Sequence, residues 1–341
     1  MKSNMKALVY EGPQMMMMRE LPLPEIGDEE VLIKVAVAGI CGSELSGYLG
    51  HNSLRKPPLV MGHEFSGTIA TDGGAFKKGE RVTVNPLISC GQCERCVEGN
   101  PHLCGSRKLL GAHRPGAYAE YVAVPISNLF KLPDHVSFTE GAFAEPFACA
   151  IHACRLLQLK TSDKLLIVGA GPIGLFLLQV ALGCGLTQIA VLDLNEERLQ
   201  IARELGATTA KQLDQLEAAY MNETGIGIFD ASVDAVGMTG TRTVCMDAVR
   251  LGGRVIFTGL HAANSELPVN LMIRNELTIM GAFAYSPDDF ATAMRWIEEG
   301  RVNMLPWTET ASLEDGAASF EKLINNPGKT AKIVLNISTS M

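Results

Sequence analysis

Residues 165–192 read LLIVGAGPIGLFLLQVALGCGLTQIAVL, without one charged side chain. That run is longer than the ~20 residues a membrane-spanning helix needs. The block Gly169-Ala170-Gly171-Pro172 argues against a span, because proline disrupts a helix interior yet suits its first turn. The pattern predicts a buried strand, a glycine turn, a buried helix and a second buried strand. Gly169, Gly171 and Gly174 make a G-x-G-x-x-G around Pro172 and Ile173. The first glycine permits a tight turn, the second lets the backbone approach a pyrophosphate, and the third lets helix and strand pack closely. The phosphates would sit at the positive helix N-terminus. Asp193 ends the second strand, 19 residues after Gly174, and is the first charge after Lys164. A carboxylate there can accept both adenosine ribose hydroxyls and repels a 2′-phosphate, which favours NAD over NADP. Arg198 lies along the adenine or ribose edge, or else is an exposed helix arginine. Without a ligand these residues would be a bare glycine turn and an Asp capping the next helix. Strand, turn, helix and acid falling in register favour the dinucleotide.

Outward from this stretch, strands and helices alternate. Predicted strands are Lys164–Val168, Gln188–Leu192, Phe229–Val233, Arg254–Thr258 and Leu277–Met280. The intervening helices are Pro172–Cys184, Glu196–Leu205 and Thr241–Arg250, with Pro146–Leu157 before them. Continuous apolar strands alternating with helices mean a parallel sheet covered on both faces, an α/β unit. Upstream, Lys6–Tyr10, Val31–Val37, Phe65–Ala70, Arg81–Val84 and Ala119–Val124 read as short strands of an all-β unit with long loops. The tail, with a helix at Pro287–Glu299 and a strand at Ala331–Leu335, is expected to rejoin that unit. The expected division is 1–147 with 286–341, around 148–285.

At 341 residues the chain has room for about two domains. Apolar residues make up 47% and charged residues 19%, which excludes wholesale disorder. Acidic residues outnumber basic ones 37 to 29, for a net charge of −8, and no basic tract appears. That disfavours nucleic-acid binding. The N-terminus lacks an apolar signal-peptide core. A cytoplasmic chain with no membrane partner is expected.

Four of the nine cysteines, Cys90, Cys93, Cys96 and Cys104, fall within fifteen residues. Four thiolates in one loop suit a closed, structural tetrahedral Zn²⁺ site. The nearby charges Glu94, Arg95, Glu98, Arg107 and Lys108 form no basic face, unlike a nucleic-acid-binding zinc module. A second metal candidate combines Cys41, in Gly39-Ile40-Cys41-Gly42-Ser43, with Gly62-His63-Glu64. Cys, His and carboxylate suit a catalytic zinc with an open position. Each alone also reads as a buried thiol or a backbone-bonded pair. Glu145 is the one charge in Phe143-Ala144-Glu145-Pro146-Phe147. A buried carboxylate needs a partner or a cation, although a helix start alone stabilises one.

Taken together, these residues resemble the zinc-dependent medium-chain dehydrogenase/reductase family, over nearly the whole chain. Cys41, the Gly-His63-Glu64 element, the four-cysteine loop, Glu145-Pro146 and the nucleotide fingerprint follow the family's order. The resemblance is strongest to its sorbitol, galactitol-phosphate, L-galactonate and threonine dehydrogenases. It implies a GroES-like β domain formed by both chain ends, a Rossmann domain, two zinc ions per chain, NAD, and homodimers or homotetramers. It implies a catalytic zinc held by Cys41, His63 and either Glu64 or Glu145, with Ser43 the first proton-relay hydroxyl unless it is a plain turn residue. Zinc would act as Lewis acid on the substrate hydroxyl, and the hydride would pass to the nicotinamide.

The chain departs from the family at several positions. The relay histidine position holds Ser46, so the relay is expected to end in water or at His51. Glu44 stands where the family has Asp and is expected to orient His63. The sorbitol-enzyme Arg-Tyr pair is Ala284-Tyr285 here, which puts plain sorbitol in doubt. His113 and Arg114 are candidate substrate residues, Arg114 as a clamp for a carboxylate or phosphate; the alternative is a solvated loop arginine. The expected activity is oxidation of a secondary alcohol of a polyol, sugar acid or sugar phosphate. The alternatives are L-threonine or vicinal-diol oxidation, or a non-catalytic nucleotide- and zinc-binding protein.

Overall fold

The computed structural model describes residues 3–212 and 227–338. Two compact units result: 1–145 with 286–300 and 308–341, and 146–285 with 301–307.

The second unit holds six parallel strands in the order Thr209–Gln212, Gln188–Asp193, Lys164–Val168, Phe229–Asp234, Val249–Phe257, Thr278–Gly281. This is the doubly wound Rossmann order, with its reversal at the central strand Lys164–Val168. That strand is sealed on both faces, since Leu165, Leu166 and Ile167 have no exposure. The helix after it, Pro172–Gly183, is apolar around most of its circumference and buried from Gly174 to Ala181. The uncharged stretch is therefore a sheet centre with its covering helix. Among the described residues no helix is long and apolar enough to cross a membrane.

The first unit is built on an antiparallel strand, Glu30–Gly39. It pairs with Glu64–Ile69, Tyr121–Pro125 and the C-terminal strand Lys332–Asn336. Further strands, Arg81–Val84, Leu129–Lys131 and Thr308–Ser312, extend this sheet. A three-stranded sheet of Met15–Pro22, Asn4–Gly12 and Leu59–Val60 carries Leu8, Val9 and Tyr10 into the same core.

Several expectations need correction. Residues 301–307 belong to the second unit, not to the rejoining tail. Trp307 packs edge-on against Phe176, ring centroids 5.0 Å apart, and Gln179 exchanges two hydrogen bonds with the Asn303 backbone. The division also falls between Glu145 and Pro146 instead of after 147. The helix there starts at Ala144, so Glu145 sits inside its first turn. Thr209–Gln212 is a strand that its composition does not announce, because Lys211 and Gln212 lie on an edge half open to solvent.

Candidate catalytic metal centre and cofactor site

Cys41 follows the strand Glu30–Gly39 and stands at the N-cap of the helix Gly42–Tyr48. Antiparallel register sets Gly39 opposite Glu64, which brings His63-Glu64 to the same sheet end. The approach needs a glycine: a Cβ at position 39 would fall 2.5 Å from Glu64 Oε2. One ligand-type atom each from Cys41, His63 and Glu64 lies within 4.8 Å of the others. A thiolate, an imidazole and a carboxylate converging in this way fit a zinc ion.

Glu44 organises the centre from behind. It is fully buried, and its carboxylate accepts from Cys41 N at 3.0 Å, Gly62 N at 2.8 Å and the Tyr118 hydroxyl. Its Oε1 lies 2.9 Å from His63 Nδ1, which commits that nitrogen and leaves Nε2 for a metal. Burial alone would raise the Glu44 pKa, but His63, Arg55 and Tyr118 outweigh it and hold the group at about 2. Burial likewise opposes charge on His63, while Glu44 and Cys41 more than offset it and raise its pKa well above the usual value.

Glu64 has a partner from the far end of the chain. Lys332 Nζ donates to both carboxylate oxygens, at 2.8 and 2.6 Å, and to Ile40 O at 3.0 Å. Both side chains are about 2% exposed. Burial would lower the Lys332 pKa; Glu64 and Cys41 override it and keep the ammonium charged. Neither Lys332 nor Tyr118 stood out in the sequence, because strand pairing places Lys332 and backbone hydrogen bonds to Leu8 and Met61 place Tyr118.

Ser43 Oγ donates to Cys41 Sγ at 3.3 Å and accepts from Arg55 Nη2 at 3.0 Å. The group hydrogen-bonded to Ser43 Oγ is Arg55; His51, with water an expected end of the relay, is exposed and makes no side-chain hydrogen bond with Ser43 among the described residues. A guanidinium has donors only and cannot end a proton relay. Arg55 was missed in the sequence, where it looks like an ordinary loop residue before Lys56-Pro57-Pro58.

Glu145 is buried but is not part of the Cys41-His63-Glu64 set. Arg114 is partly exposed and its Nη1 lies 2.6 Å from Glu30 Oε1, so one edge of the guanidinium is engaged in an ion pair. His113 is exposed and accepts from Leu109 N at 3.1 Å. Tyr285 is buried, and 285 is the residue at which the first stretch of the second unit ends.

In the cysteine loop, sulfur separations are 3.5 Å for Cys93–Cys96, 3.5 Å for Cys104–Cys90 and 3.9 Å for Cys90–Cys96. A tetrahedral ion with ~2.3 Å Zn–S bonds has edges of roughly 3.8 Å. The four sulfurs, all within 4.8 Å of one another, fit such an ion.

The glycine turn leaves the carboxyl end of the central strand. Gly169 has φ +107°, a value other residues rarely adopt. Around a Cβ placed on Gly171 there would be no atom within 4 Å, so the loop leaves space for a ligand there. A Cβ on Gly174 would fall 1.7 Å from Gly169 O, so turn and helix meet at that point. Pro172 opens the helix, with Ile173 next. Asp193 accepts from Ala170 N at 2.6 Å and Asn195 N at 2.8 Å, which fixes its carboxylate beside the turn. Arg198 is half-buried; burial lowers its pKa and nearby Asp193 works the other way. The open cradle and the fixed acid fit a dinucleotide.

Residues 27–134 match the alcohol dehydrogenase GroES-like domain family, and residues 172–299 match the zinc-binding dehydrogenase family. An L-idonate 5-dehydrogenase from Vitis vinifera is 33% identical over 92% of this chain and 90% of its own length. A sorbitol dehydrogenase from Bacillus subtilis is 33% identical over 97% of each. Among solved structures, an alcohol dehydrogenase from Escherichia coli CFT073 complexed with NADH superposes with a TM-score of 0.90 at 30% identity, covering 98% of this chain and all of that one.

Proposed function

The chain belongs to the zinc-dependent medium-chain dehydrogenase family, and from that premise we propose that it oxidises a secondary alcohol of a polyol, sugar acid or sugar phosphate with NAD as acceptor. The observation that carries the reading is the convergence of Cys41, His63 and Glu64 around one point, with His63 held by Glu44. A binding protein would have no need of that buried, oriented set.

Once bound, zinc supplies Lewis acidity toward a hydroxyl and NAD a hydride acceptor. Cys41 and His63 hold the ion in this reading, with Glu64 or Glu145 as the carboxylate ligand. Glu44 keeps His63 in one orientation, so that Nε2 stays the coordinating atom. Ser43 Oγ retains a lone pair for the substrate hydroxyl while Arg55 donates to it. Asp193, anchored on Ala170 N, recognises the adenosine ribose, and Arg198 flanks it. Cys90, Cys93, Cys96 and Cys104 hold a second, structural zinc. A cytoplasmic setting is proposed because four of the cysteines cluster as a metal site and not as a disulfide framework. Assembly as a homodimer or homotetramer is proposed on the family resemblance.

The test mixes zinc-loaded protein with NAD and a panel of polyols, aldonates, their phosphates and threonine, and follows NADH absorbance. Reduction by at least one sugar-derived alcohol is expected. Cys41→Ser should abolish turnover while one zinc per chain remains by metal analysis. Undiminished activity in that variant removes the proposed centre, and threonine as the only substrate moves the chain to the amino-acid branch.

A further inference from the structure

Arg55 is about 4% exposed, and the only hydrogen bond of its side chain among the described residues is Nη2 to Ser43 Oγ at 3.0 Å. Its Nε is sealed from solvent without a partner. The placement is built into the fold. Gly47, in the helix Gly42–Tyr48, makes room for the side chain, since a Cβ there would fall 2.5 Å from Arg55 Cδ. Asn52 anchors the loop: it donates to Ser43 O at 3.4 Å and accepts from Leu54 N at 3.0 Å and Arg55 N at 3.3 Å.

A guanidinium has five N–H donors in a rigid fork. Burying one with a single neutral hydrogen bond is unfavourable unless an anion meets it. The anions nearby have closer partners, although Glu44 feels the Arg55 charge without a direct contact. Glu64 is bound by Lys332, and Glu44 accepts from His63, Tyr118 and two backbone amides. No carboxylate lies within ion-pair distance of Arg55 among the described residues. A divalent zinc at the centre would be balanced by the Cys41 thiolate and Glu44, which leaves the guanidinium as one positive charge in excess. That charge sits two hydrogen bonds from the Cys41 sulfur.

We propose that Arg55 is the group that recognises an oxyanion on the substrate, the carboxylate of a sugar acid or the phosphate of a polyol phosphate. The proposal rests on the dehydrogenase reading and narrows its substrate class to acidic alcohols. It places the anion-binding role on a residue beside the metal centre, where Arg114 has a carboxylate partner of its own in Glu30.

The test is isothermal titration of the zinc-loaded, NADH-saturated protein with three matched pairs: D-gluconate and D-glucitol, L-idonate and L-iditol, glycerol 3-phosphate and glycerol. In the wild type, at least one charged member should bind about 10- to 100-fold more tightly than its neutral partner, the range for one charge-assisted contact. Which pair shows it separates carboxylate from phosphate. In Arg55→Met the ratio should fall to about 1, and in Arg55→Lys, which keeps charge without the fork, to an intermediate value. Zinc content and NADH affinity report whether each variant is folded. If Arg55→Met does not fold, a ratio in Arg55→Lys at least threefold below wild type supports the proposal, and an unchanged ratio overturns it. Equal affinity within every wild-type pair, or a preference that survives in a folded Arg55→Met, also overturns it. Binding preference without NAD reduction by any alcohol would sink the dehydrogenase reading and keep the anion site; turnover of neutral polyols alone would do the reverse.

Discussion

Replacing Lys332 with Met tests how the chain ends build the metal centre. The substitution roughly conserves volume and removes three hydrogen bonds, two to Glu64 and one to Ile40 O. Glu64 is about 1% exposed, so its carboxylate would be left charged in a dry site. Removing one partner of a buried ion pair typically destabilises by about 3–5 kcal/mol. For a domain of 150–250 residues each kcal/mol shifts the melting temperature by about 2–4 °C, so zinc-free Lys332→Met should melt about 6–20 °C below zinc-free wild type. With zinc the loss should shrink, because a released Glu64 can satisfy its charge on the ion. Adding Glu64→Gln removes the stranded charge and should recover more than half the zinc-free loss. Calorimetry of the four proteins, with chelator and with zinc, decides the matter. A drop under about 2 °C without zinc, or no recovery in the double variant, would refute the view that Lys332 serves to neutralise Glu64.

The glycine turn separates two kinds of failure. Gly171→Ala adds a methyl where no atom lies within 4 Å, so NADH affinity should fall at least tenfold with little change in melting temperature. Gly174→Ala drives a methyl to 1.7 Å from Gly169 O and should lose affinity together with about 1–3 kcal/mol of stability; fluorescence titration and melting distinguish the two, and matching behaviour would contradict the geometry. Glu44 is held at about 2 against an ordinary value of 4.5, so its contribution is fully present above pH 4.5 and disappears as pH falls through about 2. In zinc-free protein that component is about 3 kcal/mol, and Glu44→Gln should lack it; urea titrations with the same acid dependence in both proteins would exclude it. Arg114→Ala should change KM for acidic and neutral substrates by the same factor, because its guanidinium is engaged by Glu30; a selective rise for the acidic one would restore the clamp.

The sequence by itself determined whatever depends on neighbours along the chain. The glycine fingerprint and the four cysteines each span fifteen residues or fewer, so local backbone geometry suffices to assemble them. The strand–helix rhythm was legible too, since burial on both faces leaves uncharged strands. Helix ends were less so: the start at Ala144 moved Glu145 into a first turn, and residues 301–307 joined the second unit through Trp307 and Asn303. Only the tertiary structure decided how the metal centre is charged and held. Lys332 meets Glu64 across 268 residues, and Tyr118 meets Glu44 across 74. Arg55 and Arg114 look alike as loop arginines, yet one is buried against Ser43 and the other is paired on Glu30. Electrostatics depends on distance and on exclusion of water, and sheet pairing sets both of these where sequence spacing does not.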